Sequence, residues 1–195
     1  MADVSFDRAH TALLIADFYT AMMNTLPHAQ SRQVIETTQG LQQAAREAGL
    51  FVCYSATVFR PGYPEVSERN KTFSERKRSG QAAVSDPIAL IHPAVSPIEG
   101  EVVVGKHRVN ALYGTGLDVA LRANDMATLI ILGYATSGVV LSTVRYGADL
   151  DYRLIVVEDC CVDSDPEVHD FLTQRIFPRQ ADVVAAADVM RALVA

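Results

Sequence analysis

The sequence predicts an α/β fold: a three-layer α/β/α sandwich with a mainly parallel, doubly wound, Rossmann-like sheet. Five short, continuously apolar runs recur along the chain, and each is followed by a turn and a helical pattern. Uninterrupted apolar runs of this length are typical of strands buried on both faces. Alternation of strand and helix gives right-handed crossovers between parallel strands, which place helices on both faces of the sheet.

The individual elements follow from the spacing of apolar residues. Strands are predicted at residues 11–16, 50–56, 101–104, 128–132 and 153–157. Helices are predicted at residues 32–48, 116–123, 136–148, 166–176 and 183–194. The stretch between the second and third strands is rich in proline and is predicted to be irregular. Its basic cluster, residues 69–78, is interleaved with glutamates and is predicted to be a solvated loop or helix face.

Length and composition favour one domain over residues 1–195, because 195 residues suffice for one well-buried core. The net charge of −6 argues against nucleic-acid binding, which needs a basic surface. No apolar run reaches the roughly 18 residues that a membrane span requires. The first residues show no basic-then-apolar signal pattern. We therefore expect a cytoplasmic protein with neither a nucleic-acid nor a membrane partner.

Two charged residues and one turn stand at the ends of predicted strands. Asp17 ends the run LLIAD, Lys106 ends VVVGK, and Gly133 ends the fourth strand before a helix. Ligands of such sheets bind at the carboxyl ends of the strands. An acid and a base that meet there could share a proton and act as general acid and base. Taken singly, however, Asp17 is equally well a turn residue and Lys106 a solvated lysine.

Three segments carry a resemblance to a known family. LLIADF, GKHRVNALYGTGLD and LIILGYATSGVVLST resemble the signature segments of the isochorismatase-like, or cysteine hydrolase, superfamily. The resemblance implies that Asp17 is the acid/base and that Lys106 orients or polarises it. It also implies an oxyanion turn formed by Ala135, Thr136 and Gly138, with a cis peptide among Tyr134, Ala135 and Thr136 and the bond between Ala135 and Thr136 as the expected one.

The family's nucleophilic cysteine falls on Val139 in this sequence. Valine has no nucleophilic atom, and Ser137 and Ser142 are not placed to attack. Cys160 and Cys161 follow the fifth strand and read as small apolar residues. The resemblance therefore points to a branch that lacks the cysteine and hydrolyses its substrate without a covalent thioester. The true isochorismatases also lack it, and there the aspartate is thought to protonate a vinyl ether.

No metal or cofactor is expected. Zinc-binding relatives carry an aspartate and histidine cluster after the second strand, where this sequence reads YSATVFRPGYPE. The chain's five histidines are scattered, without the i, i+4 spacing of a helical metal site. No glycine-rich dinucleotide fingerprint follows the first strand, and no phosphate-loop motif occurs.

The expected substrate is a small molecule, and two arginines suggest that it carries a carboxylate, which arginine binds bidentately. For Arg108, a salt bridge at the edge of the sheet is an equal alternative. The residues predicted to bind the substrate are Phe18, Tyr19, Arg60, Arg108, Tyr113 and Tyr134. A second hypothesis is a family member that has lost catalysis and serves as a small-molecule-binding or assembly protein. The resemblance also implies a homo-oligomer, a dimer or a tetramer.

Overall fold

Six parallel strands form one sheet in the order β3-β2-β1-β4-β5-β6. The structure, a computed structural model, describes residues 4–195, with no description of the Ser31 side chain. The strands are β1 (Thr11–Ala16), β2 (Phe51–Thr57), β3 (Val102–Lys106), β4 (Thr128–Tyr134), β5 (Arg153–Val162) and β6 (Asp182–Val184). Every residue of β1 is buried, as expected of a central strand covered on both faces.

Helices cover both faces of the sheet. They are α1 (Thr20–Met23), α2 (Pro27–Ser31), α3 (Val34–Glu47), α4 (Lys71–Ser79), α5 (Leu117–Ala123), α6 (Leu141–Asp149), α7 (Pro166–Phe171) and α8 (Ala186–Val194). On one face α3 packs against α8. The right-handed crossovers that contain α5 and α6 run over the opposite face. The predicted three-layer sandwich with a doubly wound parallel sheet is thus confirmed.

The strand order places a topological switch point between β1 and β4. From β1 the chain continues to β2 on one side, and from β4 it continues to β5 on the other. The crossovers therefore leave opposite faces of the sheet, and a crevice opens at the carboxyl ends of these two strands. Asp17 directly follows β1, and Tyr134 is the last residue of β4.

Several predicted bounds were wrong. Residues 182–184 form β6 beside β5, because a short β-branched run at the sheet edge cannot be told from the first turn of a helix. The predicted helix 32–48 begins at Val34, because Gln33 adopts a left-handed conformation with a φ of 52°. The fifth strand extends to Val162 and therefore contains both of its cysteines.

The stretch between β2 and β3, predicted to be irregular, contains α4 and a small apolar cluster of its own. Asn70 begins α4, with its side chain accepting a hydrogen bond from Phe73 N, and Gly80 ends it. The cluster comprises Phe59, Tyr63, Val66 and Phe73. Within residues 4–195, no helix is long and apolar enough to cross a membrane. That the chain forms a single domain stays a prediction.

Candidate active site

A small cavity lies at the carboxyl ends of β1 to β4, beside the switch point. Its volume of about 170 Å³ is below the ~300–1,000 Å³ of common ligand pockets, so it suits a small molecule. The lining residues are Asp17, Tyr19, Thr57, Thr72, Phe73, Arg76, Lys106, Val109, Tyr134, Ala135, Gly138 and Val139.

Asp17 and Lys106 form a buried ion pair in this cavity. Lys106 Nζ lies 2.7 Å from Asp17 Oδ2, and the two side chains are 1% and 8% exposed. Asp17 has a left-handed backbone conformation, with a φ of 57°, which aspartate tolerates better than most residues with a Cβ. The chain therefore turns sharply at the end of β1 and presents the carboxylate to the cavity.

The last residue of β2 connects the two charged side chains. Lys106 Nζ donates to Thr57 Oγ1 at 2.7 Å and to the Arg108 carbonyl at 3.2 Å. Asp17 Oδ1 accepts from Thr57 N at 3.1 Å and from Tyr19 Oη at 2.5 Å. Thr57 N, Tyr19 Oη and Lys106 Nζ each contact the Asp17 carboxylate as a hydrogen-bond donor.

Burial changes the proton affinity of two of these groups. The pKa of Lys106 is lowered from its usual 10.5, first by desolvation, which disfavours the ammonium ion; the Asp17 carboxylate opposes this shift. The pKa of Tyr19 is raised well above 10.0 by burial and then by the Asp17 charge. Tyr19 consequently stays protonated at neutral pH and remains a donor to Asp17.

The turn after β4 forms another wall of the cavity. Gly133 has no room for a side chain, because a Cβ atom there would lie 2.4 Å from the Ala16 carbonyl oxygen of β1. The cis peptide bond joins Tyr134 to Ala135, so the expected position between Ala135 and Thr136 was wrong by one residue. The kinked turn Thr136–Val140 follows, with non-helical backbone angles at Gly138.

The predicted oxyanion turn is only partly at the cavity. Ala135 and Gly138 line it, whereas Thr136 is fully buried behind it. Gly138 N donates to the Ala135 carbonyl at 2.9 Å, so this N–H group is already engaged. Ser137 N donates to the buried Asp163 Oδ2 at 2.7 Å, which fixes the start of the turn.

A buried histidine holds this turn from behind. His169 is fully buried, with Nε2 2.6 Å from Arg32 Nη1 and Nδ1 2.8 Å from Thr136 Oγ1. Because a guanidinium only donates, Arg32 is the donor in its contact with Nε2. Arg32 in turn pairs with Glu158 at 2.8 Å. This network was not predicted from the sequence.

Val139 lines the cavity where the resemblance places a cysteine, and it is 2% exposed. The chain's three cysteines, Cys53, Cys160 and Cys161, are fully buried in β2 and β5 and do not line the cavity. Burial raises the pKa of all three thiols, that of Cys161 to about 12. No cysteine or serine side chain lines this cavity.

The residues predicted to bind substrate fall into two groups. Tyr19 and Tyr134 line the cavity, and burial followed by the Asp163 charge raises the pKa of Tyr134. Arg60 is on the surface, where it pairs with Glu65 and is 72% exposed. The other three lie elsewhere: Phe18 is buried in the core, while Arg108 and Tyr113 line a separate, shallow groove.

Arg76 of α4 lines the cavity and was not singled out from the sequence. It belongs to the basic run that we expected to be solvated, and its contact with the cavity depends on how α4 packs over the strand ends. The one local indication that this run forms a helix is its pair of capping residues, Asn70 before the run and Gly80 after it.

Among residues 4–195, no three His, Cys, Asp or Glu side chains group together as a metal site would require. The scattered histidines are His10, His28, His92, His107 and His169. Two of them bind backbone carbonyls: His107 Nδ1 lies 2.7 Å from the Val58 oxygen, and His10 Nδ1 lies 2.9 Å from the Asp125 oxygen.

The parallel doubly wound sheet places the chain in the isochorismatase-like class of α/β hydrolase folds. Residues 11–188 match the family model described as the isochorismatase domain, and the chain therefore belongs to the isochorismatase family. An isochorismatase family protein from Burkholderia thailandensis superposes with a TM-score of 0.83 at 26% identity, covering 100% of both chains.

Two relatives are named as amide-cleaving enzymes. The chain is 28% identical over 185 residues to the maleamate amidohydrolase of Pseudomonas putida. The matched region covers 93% of this chain and 86% of that protein. It is also 28% identical over 161 residues to the N-carbamoylsarcosine amidase of an Arthrobacter species. Here the matched region covers 82% of this chain and 61% of that enzyme.

Proposed function

We propose that this chain is a hydrolase that cleaves a small, carboxylated molecule by acid–base chemistry of Asp17 and Lys106, without a cysteine nucleophile. One observation carries the proposal: the 2.7 Å ion pair between these side chains lines a cavity in which valine occupies the nucleophile position. A buried ion pair costs several kcal/mol per charge in desolvation and contributes little net stability. Its presence in a cavity therefore favours a chemical role.

In the proposed reaction, water is the nucleophile. The Asp17 carboxylate takes one proton from water while the water oxygen forms a bond to the carbonyl carbon of the substrate. The carboxylic acid so formed gives that proton to the leaving nitrogen as the carbon–nitrogen bond breaks. Lys106 and the Tyr19 hydroxyl, at 2.7 Å and 2.5 Å, keep the carboxylate oriented throughout. No bond between enzyme and substrate forms at any step.

The amidohydrolase relatives support a carbon–nitrogen bond as the one that is cleaved. A vinyl ether, cleaved after protonation by Asp17, is the other bond that the resemblance allows. The loss of the cysteine favours a second function, in which the protein binds a small molecule or serves in assembly without turnover. A cytoplasmic location and a homo-oligomeric state, dimer or tetramer, stay predictions of the sequence.

A substrate panel tests the proposal. Maleamate, N-carbamoylsarcosine and a carboxylated vinyl ether are offered to the wild type, to Asp17→Asn and to Glu75→Gln. Glu75 is a matched control, because it is an exposed carboxylate that pairs with Arg78 and does not line the cavity. We expect turnover of at least one compound, unchanged by Glu75→Gln and reduced about 10²–10⁴-fold by Asp17→Asn. Turnover that survives Asp17→Asn rejects the mechanism, and no turnover favours the non-catalytic function.

A further inference from the structure

Arg76 presents a positioned guanidinium to the cavity. Its Cζ lies 5.8 Å from the centroid of the Phe73 ring, in the range of a cation–π contact. Phe73 in turn packs edge-on against Phe59, with ring centroids 5.5 Å apart, inside the small apolar cluster under α4. The half-buried Arg76 side chain is thus supported by a packed aromatic and is not a freely moving surface group.

Within residues 4–195, Arg76 forms no ion pair. The nearby carboxylates already have partners: Glu75 pairs with Arg78, and Glu68 pairs with Lys77 at 2.9 Å. The one carboxylate in the cavity, that of Asp17, pairs with Lys106. A half-buried guanidinium with no carboxylate of its own, facing a cavity, has its donors available for an anion that enters from solution.

The charges of the lining favour the same kind of ligand. Asp17, Arg76 and Lys106 are the charged residues that line the cavity, and together they leave one positive charge. Residues 60–78, which include all of α4 except its last residue, hold six basic and three acidic residues in a chain whose net charge is −6. This locally positive segment would draw small anions towards the cavity entrance.

We propose that Arg76 binds the carboxylate of a small monocarboxylate substrate, and that the bond to be cleaved then lies at Asp17 and Lys106. This inference rests on the proposed function and assigns the recognition role to a different arginine from the Arg60 and Arg108 expected from the sequence. A bidentate contact would orient the substrate as well as attract it. The roughly 170 Å³ volume restricts that substrate to a short chain.

The test measures binding by calorimetry and needs no turnover. Propionate and propionamide have the same shape and differ in charge, so their affinity ratio reports recognition of the carboxylate. The ratio is measured for the wild type, Arg76→Gln, Arg76→Lys and the control Arg78→Gln. Arg78 lies on the same helix, but it is 62% exposed and paired with Glu75. Circular dichroism checks that each variant is folded.

We expect propionate to bind at least tenfold more tightly than propionamide in the wild type and in Arg78→Gln. The preference for propionate should vanish in Arg76→Gln. It should return in part in Arg76→Lys, because lysine keeps the positive charge but lacks the paired N–H donors of the guanidinium. No preference in the wild type, a preference that survives Arg76→Gln, or an equal loss in Arg78→Gln would each overturn the proposal. Failure of every compound in the turnover panel would count against the proposed hydrolysis and leave this binding result standing.

Discussion

Lys106 Nζ lies 2.7 Å from Asp17 Oδ2, although β2 separates their two strands in the sheet. The pair lies at the end of β2 and contacts Thr57 there. The backbone N–H group of Thr57 donates to Asp17, and its hydroxyl accepts from Lys106. The ends of three strands are therefore tied together by one charged pair at the floor of the cavity. Most of the proposed chemistry and several consequences for stability follow from this contact.

Removal of one partner should be costly for stability. Lys106→Met leaves the Asp17 carboxylate buried without its cation, so we expect the free energy of unfolding to fall by about 3–5 kcal/mol. The double variant Asp17→Leu/Lys106→Met, which removes both charges, should lose less than Lys106→Met alone. Urea unfolding measures all of these values. Arg78→Gln, which breaks an exposed pair, should leave the free energy of unfolding close to that of the wild type. An equally small loss in Lys106→Met would contradict the burial of the pair.

The pKa of Lys106 can be measured directly, because the chain has three lysines and the other two, Lys71 and Lys77, lie on α4. Burial lowers the pKa of Lys106, so its proton should be lost on the alkaline side at a pH below 10.5. Asp17→Asn removes the charge that opposes this shift, so in that variant the pKa should fall further. NMR titration of the lysine side chains measures both values. A Lys106 pKa that does not change, or that rises, in Asp17→Asn would contradict the ion pair.

The three thiols should be inert towards alkylation. Each is fully buried with a raised pKa, and the thiolate is the reactive form. We expect iodoacetamide to add no mass to the native wild-type chain and to leave any turnover unchanged. Val139→Cys, which places a thiol in the cavity wall, should gain one adduct. Inactivation of the wild type by the reagent would show that one of the native cysteines takes part in the reaction.

His169 should stabilise the turn that carries Ala135 and Gly138. His169→Phe leaves the buried Thr136 hydroxyl without its hydrogen-bond partner, a loss of roughly 1–3 kcal/mol, while Arg32 keeps its contact with Glu158. His169→Asn can keep a donor towards Thr136, so the free energy of unfolding should fall less. Chemical denaturation of the two variants compares them. Equal stability of His169→Phe and the wild type would mean that the network contributes nothing.

The sequence was informative where an apolar strand ends in a charge. Asp17 and Lys106 close two apolar runs, and the ends of parallel strands meet at one edge, so their proximity could be expected before any coordinates. Arg76 could not be found in this way. It lies in a run of alternating charge without a clear apolar period, and only the packing of α4 brings it to the cavity.

Arg60 and Arg108 lie outside the lining of this cavity for a related reason. Both follow strands in the sequence, but a side chain in a loop takes its direction from nearby partners. Arg60 turns to Glu65, and Arg108 Nη1 turns to the Glu65 carbonyl at 3.2 Å. The edge strand β6 was missed because three residues are too few for a periodic pattern. The geometry of the turn after β4 likewise has no local sequence pattern that fixes which peptide is cis.

The proposed direct attack by water is tested most sharply by intact-protein mass spectrometry of enzyme quenched in acid during turnover of a substrate from the panel. The proposal predicts that the wild-type chain keeps its unmodified mass at every time point, whereas Val139→Cys accumulates a covalent acyl adduct on the new thiol. An acyl adduct on the wild-type chain, formed and lost at the rate of turnover, would contradict direct attack by water with Asp17 and Lys106 and without a nucleophilic side chain.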